Sequence, residues 1–285
     1  VFSSGYHANL AIASTLINKH TIIFQDKLNH ASLVDAALLS KGKLFRYRHS
    51  DLSHLKSLLE KYKHNDLIIM TDGVFSMDGD CAPLIEISKL CKTYHALLIV
   101  DDAHGIGVLG GGGGGLVEEL NLEKEVDLLI GTFGKSFGAT GAFITGSEAI
   151  IEAFIQKART YIYTTALLPS VAAVVTHAID LINEGSDLRK HIKELVVEYK
   201  KSARAAGLYV SKSSYHIQPL IIGGANETLR ISKALYKNNI LVPAIRPPTV
   251  PKNTSRLRIS ITAAHTKKDI SLLVKTASNI LNEGQ

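Results

Sequence analysis

The sequence is poor in cysteine, with only Cys81 and Cys91 among its 285 residues. Their spacing matches neither a disulfide framework nor a zinc motif, and it fits a protein of the reducing cytoplasm. The twelve histidines form no cluster with metal-ligand spacing. We therefore expect a cytoplasmic protein without a metal site.

The sequence also lacks a long uninterrupted apolar run. The longest candidate, residues 164–182, is interrupted by Pro169, Ser170, His177 and Asp180, so it is not a membrane span. A secretory signal peptide is absent as well. The chain opens at Val1 within what reads as folded sequence, and we expect an N-terminal portion to be missing.

An excess of charge of one sign is lacking too. The net charge of +6 is small for this length, and the basic residues are scattered, so a nucleic-acid partner is not expected. A composition with 46% hydrophobic and 20% charged residues is ordinary for a globular protein. The length allows a large core and two domains.

Short apolar runs alternate with helical patterns through the first part of the chain. This alternation predicts an α/β domain with a mostly parallel sheet and helices on both faces. The predicted strands cover residues 21–25, 43–47, 67–71, 96–100, 126–130 and 141–146. The remainder reads as mixed α and β structure, so we place a large domain at 1–184 and a smaller one at 185–285.

Lys135 follows the predicted strand 126–130 and lies between two glycines and two phenylalanines. Ligands bind at the carboxyl ends of strands in such sheets. A lysine among apolar neighbours is poorly solvated, which favours its neutral, nucleophilic form. A phosphate-binding loop is excluded because two residues separate Gly131 and Gly134, where the motif needs four. The alternative is an ordinary surface lysine. The polar residues of the neighbouring loops are therefore needed to choose between the two interpretations.

Two further loops at predicted strand ends carry polar side chains. His30 follows strand 21–25, and Asp101 with His104 follows strand 96–100. A helix start near Gly5 exposes N–H groups that favour a phosphate, although a plain serine cap explains that stretch too. Together with Lys135, these groups suit a ligand with an aldehyde, a ring nitrogen and a phosphate, as in pyridoxal 5′-phosphate (PLP).

A glycine pattern at residues 105–110 matches the dinucleotide fingerprint G-x-G-x-x-G. Residues 101–104 separate it from the strand, and more glycines follow instead of a helix, so we do not expect dinucleotide binding. The six consecutive glycines from Gly110 predict a flexible loop.

Six motifs in order resemble the α-oxoamine synthase family of fold-type I PLP enzymes. They are SSGYHAN, NHASL, DGVFSMDGD, DDAHGIGVLG, GTFGKSFG and RLRISITAAHT. The resemblance implies a large PLP-binding domain with a mostly parallel, seven-stranded sheet and a smaller α+β C-terminal domain. The family's N-terminal segment, with a substrate-binding arginine, has no match in this chain.

The resemblance also implies roles for single residues. Lys135 corresponds to the lysine that carries the cofactor, and Asp101 to the aspartate that pairs with its ring nitrogen. His104 corresponds to the histidine near the cofactor hydroxyl, and His30 to the one that stacks on the ring. Ser76 matches a serine that contacts the cofactor.

Further matches concern the phosphate and the substrates. Thr132 resembles a phosphate ligand, and Gly5 with Tyr6 resembles a glycine–aromatic pair beside the cofactor. Thr164 and Thr165 resemble residues that reach the phosphate of a neighbouring subunit, which implies a homodimer with shared active sites. Among the substrate contacts, Arg258 matches the arginine that holds the amino-acid carboxylate, and Thr249 matches a second contact.

The family condenses an amino acid with an acyl thioester and releases carbon dioxide. Residues 244–251 are most similar to the member that joins L-alanine to a pimeloyl thioester in biotin biosynthesis, with coenzyme A or an acyl carrier protein as the carrier. The alternatives are 2-amino-3-ketobutyrate CoA ligase and 5-aminolevulinate synthase. A regulatory domain without turnover is disfavoured because Lys135, Asp101 and His30 are all retained.

Overall fold

The computed structural model describes residues 1–282, within which the chain forms eleven helices and nine strands. The chain divides into two compact units. The first comprises Val1–Phe75 and Cys81–Ser186, and the second comprises Ser76–Asp80 and residues 187–285, of which the last three lie outside the described residues. The sequence placed the boundary after residue 184 and assigned residues 76–80 to the large domain.

The first unit contains a sheet whose six described strands lie in the order β2-β1-β3-β4-β5-β6. β1 to β5 run parallel, and β6 runs antiparallel to β5. The strands are β1 (Thr21–Asp26), β2 (Lys43–Tyr47), β3 (Asp66–Asp72), β4 (Leu97–Asp101), β5 (Leu128–Thr132) and β6 (Ala142–Gly146). The predicted mostly parallel α/β fold is confirmed.

Within residues 1–282, the sheet of the first unit has no seventh strand, although the family resemblance implied one. Phe2 makes a single antiparallel bridge to Ala142 on the outer edge of β6. Its N–H donates to the Ala142 carbonyl at 2.8 Å, and its own carbonyl accepts from the Ala142 N–H at 2.9 Å. These two hydrogen bonds join a single pair of residues, which is too few to form a strand.

Eight helices accompany this sheet. They are α1 (Gly5–Thr15), α2 (Ala31–Leu39), α3 (Leu52–Tyr62), α4 (Leu84–Tyr94), α5 (Leu116–Glu119), α6 (Glu148–Lys157), α7 (Arg159–Ile162) and α8 (Pro169–Glu184). Side-chain caps fix several starts: Ser4 accepts from the His7 N–H, and Asp51 accepts from the His54 N–H. Every residue of β1 is buried, as expected for a strand covered on both faces.

Residues 148–163 read as one helix in the sequence, but the structure divides them into two. Ala158 is fully buried and has an extended backbone, so α6 ends before it and α7 begins after it. Contacts with α1 hold the break, because Thr160 Oγ1 donates to the His7 carbonyl at 2.7 Å. The sequence pattern continues across this point, and only the packing against α1 interrupts the helix.

The second unit has a three-stranded antiparallel sheet in the order β7-β9-β8. Its elements are α9 (Ser186–Ala205), β7 (Ile217–Gly223), α10 (Ala225–Lys237), β8 (Ala244–Ile245), β9 (Ser255–Ser260) and α11 (Lys267–Asn282). Apolar side chains of the three helices and the sheet form its own core. The two-residue strand β8 was not predicted, since it is too short to leave a pattern.

Segment 76–80 is bound into this second unit by polar contacts. The buried Arg256 pairs with the carboxylate of Asp78, and Ser213 Oγ donates to the Gly79 carbonyl at 2.6 Å. Gly79 has φ +70°, and a Cβ there would lie 2.0 Å from the Ile217 carbonyl oxygen. A glycine is therefore required for this close approach.

Candidate active site

The carboxyl ends of three parallel strands bring together loops that the sequence singled out. β1 ends at Asp26 ahead of His30, β4 ends at Asp101, and β5 ends at Thr132 ahead of Lys135. β3 lies between β1 and β4, and β5 is the next neighbour of β4. Because neighbouring parallel strands end at the same edge of a sheet, these loops share one edge of the first unit.

Asp101 is a buried carboxylate at this edge, with 6% of its surface exposed. Its Oδ2 accepts a hydrogen bond from Asn9 Nδ2 at 2.7 Å, and its Oδ1 accepts from the Ala103 N–H at 3.1 Å. Hydrogen bonds to a carboxylate favour its ionised form. Asp101 therefore has the environment expected of a group that holds a positive charge on a ligand.

A second buried carboxyl, Asp72, was missed by the sequence reasoning. It ends β3 and is the register partner of Asp101 on β4. Burial, followed by the charge of Asp101, raises the pKa of Asp72 well above its usual range, while the Lys135 ammonium acts in the opposite direction. Its position at the end of an apolar strand was a usable signal, because Asp101 was identified in the same way.

Lys135 corrects one expectation from the sequence. Its side chain is exposed, whereas Phe133 and Phe137 on either side are buried and pack with Ile106 and Val175. The two phenylalanines point into a separate apolar cluster and therefore do not desolvate the lysine. The charge of Lys135 nevertheless acts on the Asp72 carboxyl and lowers its pKa.

The start of α1 meets the end of β5. A Cβ built on Gly5, the first residue of α1, would lie 3.8 Å from Cβ of Thr132. Thr132 Oγ1 donates to the Gly141 carbonyl at 3.1 Å and accepts from the Gly134 N–H at 3.2 Å. A helix N-terminus beside a hydroxyl is suited to a phosphate group.

Three of the predicted site residues, His30, Tyr6 and His104, have ring side chains. His30 is exposed and caps α2, with its Nδ1 accepting from the Ser32 N–H at 3.3 Å. Tyr6 is 42% exposed, and its hydroxyl donates to Asp35 Oδ2 at 2.7 Å, which raises the pKa of Tyr6. His104 is half-buried in the turn that follows β4.

Thr164 and Thr165 lie in the exposed connection between α7 and α8. They line a groove of about 1060 Å³ whose walls are mainly apolar and include Phe133, Phe137 and Val175. Neither Lys135 nor Asp101 lines this groove. The structure thus does not bring the two threonines to the carboxylate edge of their own chain.

Three predicted site residues belong to the second unit. Arg258 lies on β9, and its Nε donates to the Ser76 carbonyl at 2.5 Å. Burial lowers the pKa of the Arg258 guanidinium. Thr249 is exposed, and its N–H donates to the Arg246 carbonyl at 3.0 Å. Their contribution to the predicted site stays a prediction.

The glycine run forms a hydrogen-bonded loop rather than a stretch without contacts. The N–H groups of Gly112 and Gly114 donate to the carboxylate of Glu118 on α5, and the Gly115 N–H donates to the Leu109 carbonyl. The run is a loop, as expected, and whether it is flexible stays a prediction.

The groups at this edge fit PLP. With PLP bound, Lys135 would offer an amine to the cofactor aldehyde, Asp101 a buried carboxylate to its ring nitrogen, and the α1 terminus with Thr132 a cradle for its phosphate. No group of three or more metal-ligating side chains occurs among the described residues. No described helix is long and apolar enough to cross a membrane. The fold and these groups together define a PLP-dependent transferase.

Comparison with protein families shows which group of these enzymes is concerned. The family model for aminotransferase class I and II matches residues 1–276. The chain therefore belongs to the aminotransferase class I and II family. This confirms the predicted fold-type I architecture and pyridoxal 5′-phosphate as the cofactor.

Individual relatives are similar over nearly the whole chain. The 8-amino-7-oxononanoate synthase of Hahella chejuensis is 48% identical over 276 residues, which are 96% of this chain and 70% of that relative. A serine palmitoyltransferase from S. paucimobilis with bound PLP has a TM-score of 0.95 at 31% identity, over 99% of this chain and 72% of that chain. The 8-amino-7-oxononanoate synthase of Francisella tularensis has a TM-score of 0.86 at 36% identity, over 99% and 82%.

Proposed function

We propose that this chain catalyses the decarboxylative condensation of L-alanine with a pimeloyl thioester, the step of biotin biosynthesis that yields 8-amino-7-oxononanoate. The observation that carries this proposal is the 48% identity with a synthase named for that product. The fold similarity also includes a serine palmitoyltransferase, at 31% identity. We give the identity more weight, because related folds host different substrates and the side chains of the site decide between them.

The cofactor, when bound, supplies an aldehyde that condenses with amines and a protonated ring that withdraws electrons from the amino-acid α-carbon. The chain's own groups make this chemistry productive. Lys135 Nζ would hold the cofactor through its aldehyde and, as a free amine, would accept the α-proton of alanine. Asp101 keeps the ring nitrogen protonated, which is the kind of fixed charge that contributes most to catalysis.

The remaining groups bind and orient. His30 covers one face of the ring and excludes water from it, and the α1 terminus with Thr132 holds the phosphate. We assign the alanine carboxylate to Arg258 and a second substrate contact to Thr249. In the overall reaction the α-carbon of alanine forms a bond to the acyl carbon, and the carrier thiol and carbon dioxide leave.

The proposal includes a homodimer in which each subunit completes the site of the other. Its support is the position of Thr164 and Thr165 on an exposed, mainly apolar groove that lacks the lysine and aspartate of the same chain. In a symmetric dimer such a pair is delivered reciprocally to both sites. We further propose the cytoplasm as the compartment, and coenzyme A or an acyl carrier protein as the thioester carrier.

The function is tested by supplying the full-length protein, loaded with PLP, with a panel of substrates. Alanine, glycine and serine are each paired with pimeloyl, acetyl and palmitoyl thioesters on coenzyme A, and pimeloyl also on an acyl carrier protein. We expect a product mass for 8-amino-7-oxononanoate from alanine and a pimeloyl thioester alone. A dominant product from glycine and acetyl-CoA, or from serine and palmitoyl-CoA, would replace this assignment.

A further inference from the structure

Two buried carboxyls lie side by side at the carboxyl edge of the first unit. Asp72 and Asp101 are register partners on the parallel strands β3 and β4, and they are 5% and 6% exposed. Neighbouring strands are separated by about 4.8 Å, so two negative charges here would repel each other strongly. In such a pair one carboxyl is more readily protonated than the other, and the surroundings decide which residue it is.

The hydrogen bonds around the pair are unequal. Asp101 accepts from the Asn9 side chain at 2.7 Å and from the Ala103 N–H at 3.1 Å. Asp72 accepts from the His30 N–H at 2.7 Å. Among charged groups, Asp101 and Asp26 disfavour ionisation of Asp72, and Lys135 favours it. The additional donor from Asn9 makes Asp101 the better place for the negative charge.

Asn9 is oriented so that it can only donate to its neighbours. It is fully buried on α1, and its Nδ2 donates to Asp101 Oδ2 and, at 2.9 Å, to Ser32 Oγ. Its Oδ1 is buried without a hydrogen-bond partner among the described residues. The reverse orientation would place Oδ1 against the Asp101 carboxylate, so the unsatisfied oxygen follows from the charge on Asp101.

The second donor of Asn9 reaches His30 through Ser32. His30 Nδ1 accepts from the Ser32 N–H at 3.3 Å, so this nitrogen carries no proton. The Ser32 hydroxyl, 2.7 Å from the same nitrogen, therefore donates to Nδ1 while its oxygen accepts from Asn9. The direction of these bonds places the ring proton of neutral His30 on Nε2.

We propose that Asn9 is a positioning residue that keeps Asp101 as the ionised member of the carboxyl pair and, through Ser32, fixes the tautomer of His30. One amide group would then couple the residue at the ring nitrogen to the residue over the ring face. The importance for catalysis rests on the proposed function, whereas the ionisation and the tautomer are properties of the chain itself.

The test is nuclear magnetic resonance of the full chain without cofactor, which reports aspartate ionisation from ¹³Cγ shifts and histidine tautomers from ¹⁵N shifts. The variants are Asn9→Leu, which removes both donors at similar volume, Ser32→Ala, which interrupts only the branch to His30, and Asp72→Asn, which replaces a neutral acid by a neutral amide. Asn238→Leu, at an exposed amide of the second unit, is the matched control.

We expect the ¹³Cγ shift of Asp101 at neutral pH to be that of a carboxylate in the unmodified chain and in Asp72→Asn. In Asn9→Leu, this shift should move towards that of a protonated carboxyl, and His30 should become a mixture of tautomers. Ser32→Ala should alter His30 and leave Asp101 ionised. Because Asp101 and His30 both act on the cofactor, Asn9→Leu should also lower PLP affinity by about tenfold.

A protonated Asp101 in the unmodified chain at neutral pH, a proton on His30 Nδ1, or an Asn9→Leu variant that changes neither would overturn the proposal. If Asn9→Leu does not fold, the unmodified chain and Ser32→Ala still decide it. These readouts involve no substrate. A chain that shows them but forms no product in the substrate panel would refute the proposed function and keep this inference.

Discussion

Gly5 and Thr132 are brought into contact although they are far apart in sequence. The position of a Gly5 Cβ would be 3.8 Å from Thr132 Cβ, so the first turn of α1 lies against the end of β5. Thr132 Oγ1 is itself held between the Gly141 carbonyl and the Gly134 N–H. The N–H groups of the helix terminus and the hydroxyl thus lie side by side, an arrangement suited to an anion.

Thr132→Val should therefore weaken cofactor binding. The variant keeps the shape of the side chain and loses a hydroxyl that would bind the phosphate, so we expect the dissociation constant of PLP to rise about tenfold. Absorbance titration of the apo-protein measures it. Thr132→Ser is the control and should bind within about threefold of the unmodified chain. Equal affinity of the valine variant would remove Thr132 from the phosphate site.

Lys135→Ala should abolish both turnover and the borohydride-reducible attachment of PLP. The reason is chemical, since only an amine can condense with the cofactor aldehyde, and Lys135 is the lysine whose charge reaches the carboxylate edge. Mass spectrometry after borohydride reduction locates the attachment. Lys124→Ala, at an exposed lysine of the same unit, is the matched control. A reduced adduct that persists in Lys135→Ala would disprove the assignment.

Asp102 should make the folded chain less stable as the pH rises. Burial, as the largest cause, raises the pKa of Asp102 to about 7. The folded state therefore binds more protons than the unfolded state between about pH 4 and 7, and the free energy of unfolding falls across that window and levels off above it. The contribution of Asp102 to this fall is roughly 4 kcal/mol.

Denaturant unfolding of Asp102→Asn at several pH values isolates this contribution. The free energy of unfolding of the variant minus that of the unmodified chain should increase from about pH 4 to 7. Asp66→Asn removes an exposed carboxylate instead and should show no such trend. A difference that is constant with pH would mean that Asp102 ionises normally in the folded state.

Shared active sites can be tested by complementation between two inactive chains. One carries Lys135→Ala, and the other carries Thr164→Asp and Thr165→Asp, which place negative charge where the partner's phosphate would bind. After subunit exchange in equal amounts, half of the dimers are mixed and each has one intact site, so about one quarter of full activity should return. Thr93→Asp, at an exposed threonine elsewhere, controls for added charge.

Two outcomes would contradict this arrangement. One is an absence of recovered activity although exchange has been confirmed by mass spectrometry. The other is a fully active monomer, because a single chain would then supply every group that the site needs.

Local patterns predicted most of the first unit because its strands are short apolar runs with punctuation at both ends. β2 begins and ends at the residues that the sequence predicts. Asp101 was found as the acid that closes an apolar strand. The same signal at Asp72 was passed over, because one acid suffices for a ring nitrogen and nothing local shows that β3 and β4 are neighbours.

Asn9 illustrates the opposite case. In sequence it ends the motif SSGYHAN within the first helix, and neither the motif nor the helical period indicated a role for it. Only the packing of α1 buries it beside Asp101 and Ser32, which lie 92 and 23 positions away. Long-range contacts of this kind are decided by the arrangement of elements rather than by any stretch of chain.

The sequence by itself determined the order of strands and helices, the lysine and aspartate at strand ends, and the family to which the chain belongs, since each of these depends on local composition or on motifs. The tertiary structure decided which side chains are solvated and which charged groups are neighbours. Lys135 is exposed although phenylalanines flank it, and Asp72 is buried against Asp101 although 29 positions separate them. The physical reason is that solvation and charge repulsion depend on neighbours in space, and folding supplies those neighbours.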